Sequence, residues 1–283
     1  MTGTPRDGRA RTFPARKAAR ILLWTLALAG GFSLVFYSLQ RKMIYHPWPD
    51  LVAAPDRAGL AYEDVFLDVE DGIVIHGWYV PAPGARTTLL FLHGNAGNIS
   101  HRLDNVRRLH EQGLNVFIID YRGYGRSSGS PHEQGLYRDA RASLAYLQGR
   151  PDVRPDRIAV FGRSLGGAVA VDLCSRESCS KLILESTFTS TADMARSIFP
   201  FFPLARLLTE RFDSESKIRR IRAPLLQFHG TRDEVVPFRL GERLHRAAPE
   251  PKRFVPIPGA GHNDTYERGG PWYFETIRSF LEE

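Results

Sequence analysis

Cysteine is scarce in this sequence, which contains only Cys174 and Cys179 among its 283 residues. Neither residue belongs to a paired C-x-x-C motif or stands at metal-ligand spacing from a histidine, so the sequence predicts no metal site. The two thiols either form a local disulfide, if the domain is exported, or remain free, and both alternatives stay open. Internal repeats and low-complexity tracts are also absent, which leaves an ordinary globular composition with room for one large α/β domain.

Most of the chain also lacks an excess of charge of one sign, although the formal net charge of the whole sequence is +7. Residues 1–20 contain six basic residues and one acidic residue, whereas the remaining chain contains 32 basic and 30 acidic residues. The positive charge therefore belongs to a basic N-terminal tail, and a basic binding face on the domain is not expected. We predict that nucleic acid is not a partner.

Charged residues are missing altogether from Ile21–Gln40, the apolar run that follows the tail. These twenty residues, at 1.5 Å each, match a hydrocarbon core about 30 Å thick, so we predict a transmembrane helix over residues 21–40. Trp24 and Tyr37 stand near its ends, as interfacial aromatic residues do. The positive tail predicts a single-pass membrane protein with a cytoplasmic N-terminus and the following domain on the extracytoplasmic side.

A cleaved signal peptide is the alternative interpretation of this segment, because Ala27-Leu28-Ala29 has the small-x-small form of a cleavage site. Cleavage there would leave a very short apolar region before the site, while apolar sequence continues through Phe36. We therefore favour a signal anchor that stays in the membrane. Residues 41–60 are punctuated by proline and are predicted to connect this anchor to a domain over residues 61–283.

Apolar runs and turn signals in that domain predict an α/β fold. The first two strands are separated only by the turn Glu70-Asp71-Gly72, which predicts an antiparallel hairpin. Later strands alternate with helices and are continuously apolar, which predicts a mostly parallel eight-stranded sheet with helices on both faces. The predicted strands are 65–69, 73–80, 87–92, 115–119, 158–161, 181–184, 225–228 and 253–257, and the predicted helices are 99–112, 134–147, 165–174, 191–208, 239–247 and 272–281.

A G-x-S-x-G pentapeptide, Gly162–Gly166, follows directly on the strand candidate Ile158–Phe161. Where a strand turns sharply into a helix, the central serine is held in a strained backbone conformation that exposes its hydroxyl. The flanking glycines remove Cβ atoms that would clash at such a turn. Because this pentapeptide arises by chance in roughly one chain in six of this size, it indicates a nucleophile only if partners accompany it.

The partners that a serine nucleophile requires stand at other predicted strand ends. Such a serine needs a base within hydrogen-bond reach, and the base needs a carboxylate to orient it. In an open α/β sheet, reactive groups gather at the carboxyl ends of the strands, where Ser164, Asp233 and His262 all lie. We predict Ser164 as nucleophile, Asp233 as orienting acid and His262 as base, in the chain order expected of an α/β-hydrolase.

Several further motifs occur along the chain, in the order in which one known family has them. They are Ile44-Tyr45-His46-Pro47 after the apolar run, then HGNAGN, DYRGYGRSSG, GRSLGG, HGTRDEVVP and GHND. With them, residues 60–283 resemble the α/β-hydrolase superfamily, and within it the Bem46-like membrane serine hydrolases. The resemblance implies the three roles above and adds the backbone N–H groups of Leu165 and Asn95 as oxyanion donors. Acyl transfer by this route needs no cofactor, and we predict none.

Each predicted role has an alternative. Ser164 is also a suitable helix N-cap, and Asp233 is also a suitable exposed turn residue, in which case Glu185 would supply the carboxylate. His262 follows Gly259 and Gly261 after a strand, whereas His93 and His229 each precede a glycine at a strand end and are interpreted as shaping turns. The other six histidines are interpreted as surface or packing residues.

About forty residues separate Glu185 from the strand that begins at Leu225, too few for a large lid domain. The aromatic-rich stretch Ile198–Leu204 is either part of a small cap that receives an acyl chain or ordinary packing against the sheet. The sequence as a whole favours a membrane-anchored serine hydrolase that cleaves carboxylic esters or thioesters of lipids or acylated proteins. A serine peptidase of the aminopeptidase or prolyl-oligopeptidase type and a non-catalytic scaffold are the alternatives, because fold alone does not decide the bond that is cleaved.

Overall fold

The structure, a computed structural model, describes residues 15–70, 72–200, 205 and 207–283. Most of the predicted basic tail lies outside the described residues. The same is true of Asp71 in the predicted hairpin turn and of residues 201–204 in the aromatic-rich stretch.

An eight-stranded sheet with the spatial order β8-β7-β6-β5-β3-β4-β2-β1 forms the centre of the domain. Strands β1 and β2 form the predicted antiparallel hairpin, β2 is antiparallel to β4, and every other pair is parallel. All eight predicted strands are present, with ends within about two residues of prediction. They are β1 (Glu63–Glu70), β2 (Ile73–Val80), β3 (Thr88–Leu92), β4 (Asn115–Ile119), β5 (Ile158–Arg163), β6 (Leu182–Glu185), β7 (Leu225–Gly230) and β8 (Lys252–Ile257).

Both faces of the sheet are covered, which is why its central strands are mostly apolar and buried along their whole length. In β3, Leu90 and Leu92 belong to one buried cluster and Leu89 and Phe91 to the other, because successive side chains point to opposite faces. The first cluster includes residues of helices α3 (Glu133–Gly149), α4 (Leu165–Arg176), α6 (Ser214–Ile218) and α7 (Phe238–Ala247), and the second includes residues of α2 (Leu103–His110) and α8 (Thr265–Glu282).

The predicted helix 191–208 was wrong in its extent, since helix α5 covers only Thr191–Ile198. Pro200 accounts for the early end, because the residue before a proline is driven out of the helical conformation. The predicted helix 99–112 begins as a 3₁₀ turn over Ile99–Arg102 and continues as α2. Helix α8 starts earlier than predicted and is kinked at Gly270, whose φ is 55°.

Helix α1, Ala15–Ile44, is longer at both ends than the predicted residues 21–40. Within the described ranges it is the one helix long and apolar enough to cross a membrane. Its last turn contains Arg41 and Lys42, which are good helix formers, so the helix does not end where the apolar run ends. His46–Pro47 then pairs in parallel with Ala96–Gly97, so part of the predicted connector 41–60 is docked on the domain.

The two cysteines are joined, Cys174 to Cys179, with 5.9 Å between their Cα atoms. Of the two alternatives that the sequence left open, the structure therefore has the disulfide. The bond links the last turn of α4 to the loop that precedes β6.

Candidate active site

Ser164 lies at the sharp turn between β5 and α4 with φ 52° and ψ −119°, the strained conformation that the pentapeptide predicts. A Cβ on Gly166 would come within 2.0 Å of the Leu92 carbonyl oxygen, so the turn requires glycine there. The Ser164 side chain makes no capping hydrogen bond to α4, so the interpretation as a helix cap was wrong. Its hydroxyl is free to face a partner.

The structure brings the three predicted catalytic side chains together, although they are far apart in sequence. His262 Nε2 lies 3.0 Å from Ser164 Oγ, and His262 Nδ1 lies 2.9 Å from Asp233 Oδ2. With its Nδ1 proton donated to Asp233, the imidazole presents an unprotonated Nε2 that can accept the serine proton. The arrangement has the geometry of a nucleophile, a base and an orienting carboxylate.

Asp233 is held by the chain around it as well as by His262. Its Oδ1 accepts hydrogen bonds from the backbone N–H groups of Val235 at 2.9 Å and Val236 at 2.7 Å. Burial acts to raise the pKa of Asp233, but hydrogen bonds from His229, His262 and Val236 outweigh it and hold this pKa well below its usual value. The carboxylate therefore remains ionised, as the predicted orienting role requires.

His229 is a member of this cluster that the sequence interpretation did not find. Its Nε2 lies 3.3 Å from Asp233 Oδ2 and 3.0 Å from the Val236 carbonyl oxygen. The interpretation of His229 as a turn-shaping residue is therefore incomplete, because the ring also confines the carboxylate. Its position four residues before Asp233, at the end of β7, is the signal that could have indicated the contact.

Glu185, the alternative carboxylate, is engaged elsewhere. It accepts hydrogen bonds from Thr265 and Tyr273, both on α8, and forms a buried ion pair of 2.8 Å with Arg163. His262 Nδ1 contacts Asp233 and not Glu185. Arg163 is a second residue that the sequence interpretation missed, and its Nη2 donates to the His262 carbonyl oxygen at 3.0 Å.

The predicted oxyanion donors, Leu165 and Asn95, line a cavity together with Ser164. Leu165 is the first residue of α4, so its N–H has no acceptor within the helix. Among the hydrogen bonds of the described residues, none is donated by the main-chain N–H of either residue. The Asn95 loop is held instead through its carbonyl oxygen, which accepts from His46 N at 3.0 Å and from Tyr124 Oη at 2.8 Å.

Two cavities meet at Ser164 and Asn95. The first has a volume of about 260 Å³ and is lined mainly by apolar side chains, including residues of α1 and α5. The second has a volume of about 170 Å³, and its polar lining includes Arg102, Arg163 and His262. Neither cavity has an acidic residue among its described lining residues. The described part of the chain contains no group of three or more metal-ligating side chains placed to hold a metal ion.

Comparison with known sequences finds relatives over nearly the whole chain. Residues 83–214 match the Hydrolase_4 family, described as serine aminopeptidase, S33. The protein bem46 of Schizosaccharomyces pombe is 37% identical over 271 residues, which cover 90% of this chain and 89% of that protein. The α/β hydrolase domain-containing protein WAV2 of Arabidopsis thaliana is 39% identical, with 91% and 92% covered.

Solved structures share the fold at low sequence identity. The Pyrococcus furiosus esterase Pf2001 superposes with a TM-score of 0.71 at 21% identity, over 84% of this chain and 98% of the esterase. A Mycobacterium tuberculosis puromycin-hydrolyzing peptidase superposes with a TM-score of 0.66 at 20% identity, over 78% of this chain and 39% of the peptidase. At these identities the likeness establishes the architecture and leaves the substrate open.

Proposed function

The chain belongs to the α/β-hydrolases as a Bem46-like member, and on this basis we propose that it is a membrane-anchored serine hydrolase that cleaves carboxylic esters or thioesters. The observation that carries the proposal is the continuous path from Ser164 Oγ through the His262 ring to the Asp233 carboxylate, with contacts of 3.0 and 2.9 Å. Ser164 has a strained backbone conformation and all three side chains are buried, which is a setting in which such a serine is reactive.

The proposed reaction proceeds in two steps. Ser164 Oγ attacks the acyl carbonyl while His262 Nε2 takes the serine proton, and Asp233 stabilises the resulting imidazolium. The free N–H groups of Leu165 and Asn95 stabilise the oxyanion, an interaction worth about 3 kcal/mol for each donor in related sites. His262 then gives its proton to the leaving oxygen or sulfur. Water, activated by the same imidazole, releases the acid from the acyl-enzyme and restores Ser164.

An ester or thioester fits the site better than the alternative substrate, a peptide with a free amino terminus. The name of the matching family and the peptidase among the fold neighbours favour that alternative. An ammonium group, however, needs an anionic partner when it is buried, and no acidic side chain occurs among the described residues that line the two cavities. The apolar lining of the larger cavity suits an acyl chain instead.

We propose that α1 remains in the membrane, with its N-terminus in the cytoplasm and the catalytic domain outside. Leu34, Val35 and Leu39 are 67%, 57% and 45% exposed, and cleavage after Ala29 would leave these apolar side chains in water. The disulfide between Cys174 and Cys179 is supporting evidence for this topology, because disulfides persist in oxidising compartments.

A fluorophosphonate probe tests the nucleophile in the full-length protein in detergent micelles. We expect the wild-type protein to be labelled covalently and Ser164→Ala to remain unlabelled. Ser175→Ala, in the last turn of α4, is the matched control and should label at the wild-type rate. Labelling of Ser164→Ala would refute the proposal. The same preparation should hydrolyse p-nitrophenyl butyrate and not alanine p-nitroanilide; the reverse preference would favour the peptidase.

A further inference from the structure

The larger cavity beside Ser164 has walls from two sources, the catalytic domain and the apolar N-terminal helix. Helix α1 contributes four of its lining residues, Phe36, Gln40, Met43 and Ile44. Helix α5 of the domain also supplies four lining residues, among them Met194, Ala195 and Ile198. The site is therefore incomplete without the helix that is proposed to cross the membrane.

The end of α1 is fixed to the domain by buried polar contacts. Gln40, which is 2% exposed, accepts a hydrogen bond from Thr209 N at 2.9 Å. The carboxylate of Glu210, which is 4% exposed, accepts from Arg41 Nε at 3.0 Å and from Tyr45 Oη at 2.6 Å. Contacts of this kind hold one orientation of the helix about its own axis, so the same face is always turned toward the cavity.

The end of α1 is also bonded to the loop that contains the predicted oxyanion donor Asn95. Asn95 Nδ2 donates to the carbonyl oxygen of Ile44, the last residue of α1, at 2.9 Å. The strand pair His46–Pro47 with Ala96–Gly97 follows immediately. The helix, the cavity and the Asn95 amide thus form one connected unit.

The proposed membrane span places the cavity at the depth where lipid meets water. If residues 21–40 cross the bilayer, Gln40 marks the boundary and Phe36 lies about 6 Å deeper. The exposed apolar side chains of Ile198 and Phe199 lie at the edge of the same cavity, 59% and 39% exposed. An acyl chain could pass from the bilayer to Ser164 along these surfaces without crossing water.

We propose that the C-terminal part of α1 is a wall of the acyl-binding site, and that the substrate is a membrane-resident amphiphile whose acyl chain reaches Ser164 along α1. This inference rests on the proposed hydrolase function. It assigns α1 a part in selecting the substrate, beyond that of a tether.

Filling the cavity from the α1 side tests this proposal in the full-length protein. We expect Met43→Trp to lower kcat/KM for p-nitrophenyl dodecanoate at least about tenfold and to change kcat/KM for p-nitrophenyl acetate less than about twofold. Leu34→Trp, on an exposed position of the same helix that does not line the cavity, is the control and should change neither value. An unchanged dodecanoate value in Met43→Trp would overturn the proposal.

Hydrolysis of p-nitrophenyl acetate distinguishes a failure of this proposal from a failure of the proposed hydrolase function or of the fold. If the wild-type protein did not hydrolyse p-nitrophenyl acetate, the proposed function itself would be refuted. Equal loss of both substrates in Met43→Trp would mean that the substitution damages the catalytic groups or the fold, and Ile44→Phe then repeats the test from the next α1 position on the cavity. If Ile44→Phe also fails to separate the two substrates, α1 does not form the acyl wall.

The smaller cavity carries a second inference, which rests on the proposed hydrolase function and starts from a different observation: the cavity contains a cation without an acidic partner. Arg102 lines it with Ser164, His262 and Asn263. Its Nη2 donates to the Ala96 carbonyl oxygen at 2.6 Å, while its buried Nε has no hydrogen-bond partner. Among the ion pairs of the described residues, none includes Arg102. Burial and the neighbouring Arg163 lower the pKa of Arg102 to about 10, so the guanidinium stays charged at neutral pH.

His262 identifies which part of the substrate this cavity receives. The leaving atom must take its proton from His262 Nε2, and His262 lines the smaller cavity and not the larger one. With the acyl chain in the apolar cavity, the leaving group therefore extends toward Arg102. We infer that Arg102 recognises a negative charge on the leaving group, with a phosphate as the chemical class that fits a guanidinium.

Two phosphate-bearing substrates and one neutral substrate, all with the same acyl chain, test this inference. They are a monoacyl glycerophospholipid, an acyl thioester of phosphopantetheine and a monoacylglycerol. We expect Arg102→Gln to lower kcat/KM at least about tenfold for one or both phosphate substrates and less than about twofold for the monoacylglycerol. Which phosphate substrate responds distinguishes a lipid headgroup from a thiol carrier.

Arg246→Gln is the matched control, since Arg246 is an exposed residue of α7 that lines neither cavity. It should leave all three substrates unchanged, and fluorophosphonate labelling of Arg102→Gln should match the wild type. An equal change for charged and neutral substrates, or no change for either, would overturn the inference about Arg102 without touching the assignment of Ser164.

Discussion

Arg163 donates a hydrogen bond from Nη2 to the carbonyl oxygen of His262 at 3.0 Å, which links the serine turn directly to the loop that presents the proposed base. The same Nη2 lies 3.2 Å from Asn263 Oδ1, and Nε pairs with the buried carboxylate of Glu185 at 2.8 Å. The guanidinium is planar and has donors in fixed directions, so it can hold both partners at once. We therefore expect Arg163 to position His262 relative to Ser164.

The first prediction follows from the contacts of Arg163 with His262 and Glu185. Arg163→Lys keeps the charge beside Glu185 but cannot reach both partners, so His262 should lose its fixed position. We expect kcat for p-nitrophenyl acetate to fall about tenfold to a hundredfold with little change in KM. Arg246→Lys is the control for a surface substitution of the same kind. A lowered melting temperature with unchanged kcat would show a structural role only.

The second prediction separates the two candidate carboxylates by their effects on catalysis. Asp233→Asn should lower kcat by about four orders of magnitude, because an amide cannot enforce the Nδ1–H tautomer of His262 or stabilise its cation. Glu185→Gln should keep most of the hydrogen bonds around Arg163 and lower kcat much less. The measurement is the initial rate of p-nitrophenyl acetate hydrolysis for both variants in the same detergent. Near-normal turnover in Asp233→Asn would remove Asp233 from the proposed mechanism.

The third prediction concerns pH and stability. Hydrogen bonds hold the folded-state pKa of Asp233 below its unfolded value, so the ionised carboxylate stabilises the fold fully above about pH 4. This contribution is lost as the pH falls from about 4 toward the lower folded-state pKa. The melting temperature of the wild type should therefore exceed that of Asp233→Asn at pH 7, and the difference should shrink at pH 3. A difference that grows on acidification would contradict this assignment.

Much of the architecture was predictable because it depends on local patterns. The continuous apolar run in β3 and the strand-end positions of Ser164, Asp233 and His262 are readable from neighbouring residues alone. The contact from Arg163 to His262 spans 99 residues and the contact from Gln40 to Thr209 spans 169, so no local pattern indicates either. An apolar helix face that meets lipid also has the same sequence pattern as one that meets protein, which is why the docking of α1 was not predicted.

The last prediction concerns Glu210, which joins three parts of the chain. Its carboxylate accepts hydrogen bonds from Arg41 and Tyr45 at the end of α1 and from the backbone N–H of Glu133 at the start of α3, the last at 2.5 Å. Glu210→Ala would leave the Tyr45 hydroxyl and the Glu133 amide without partners, at a cost of about 1–3 kcal/mol for each buried group. We expect a lower melting temperature in detergent.

Glu210→Ala should also weaken the discrimination between acyl chain lengths, because α1 would no longer hold one face toward the cavity. The ratio of kcat/KM for p-nitrophenyl dodecanoate to that for p-nitrophenyl acetate measures this, and it should fall while acetate hydrolysis persists. Glu215→Ala is the control, since Glu215 pairs with the exposed Arg243 and does not contact α1. If Glu210→Ala lowered stability but kept the wild-type ratio, the carboxylate would hold the fold together without orienting the helix, because a loosened wall cannot preserve the shape of an acyl cavity.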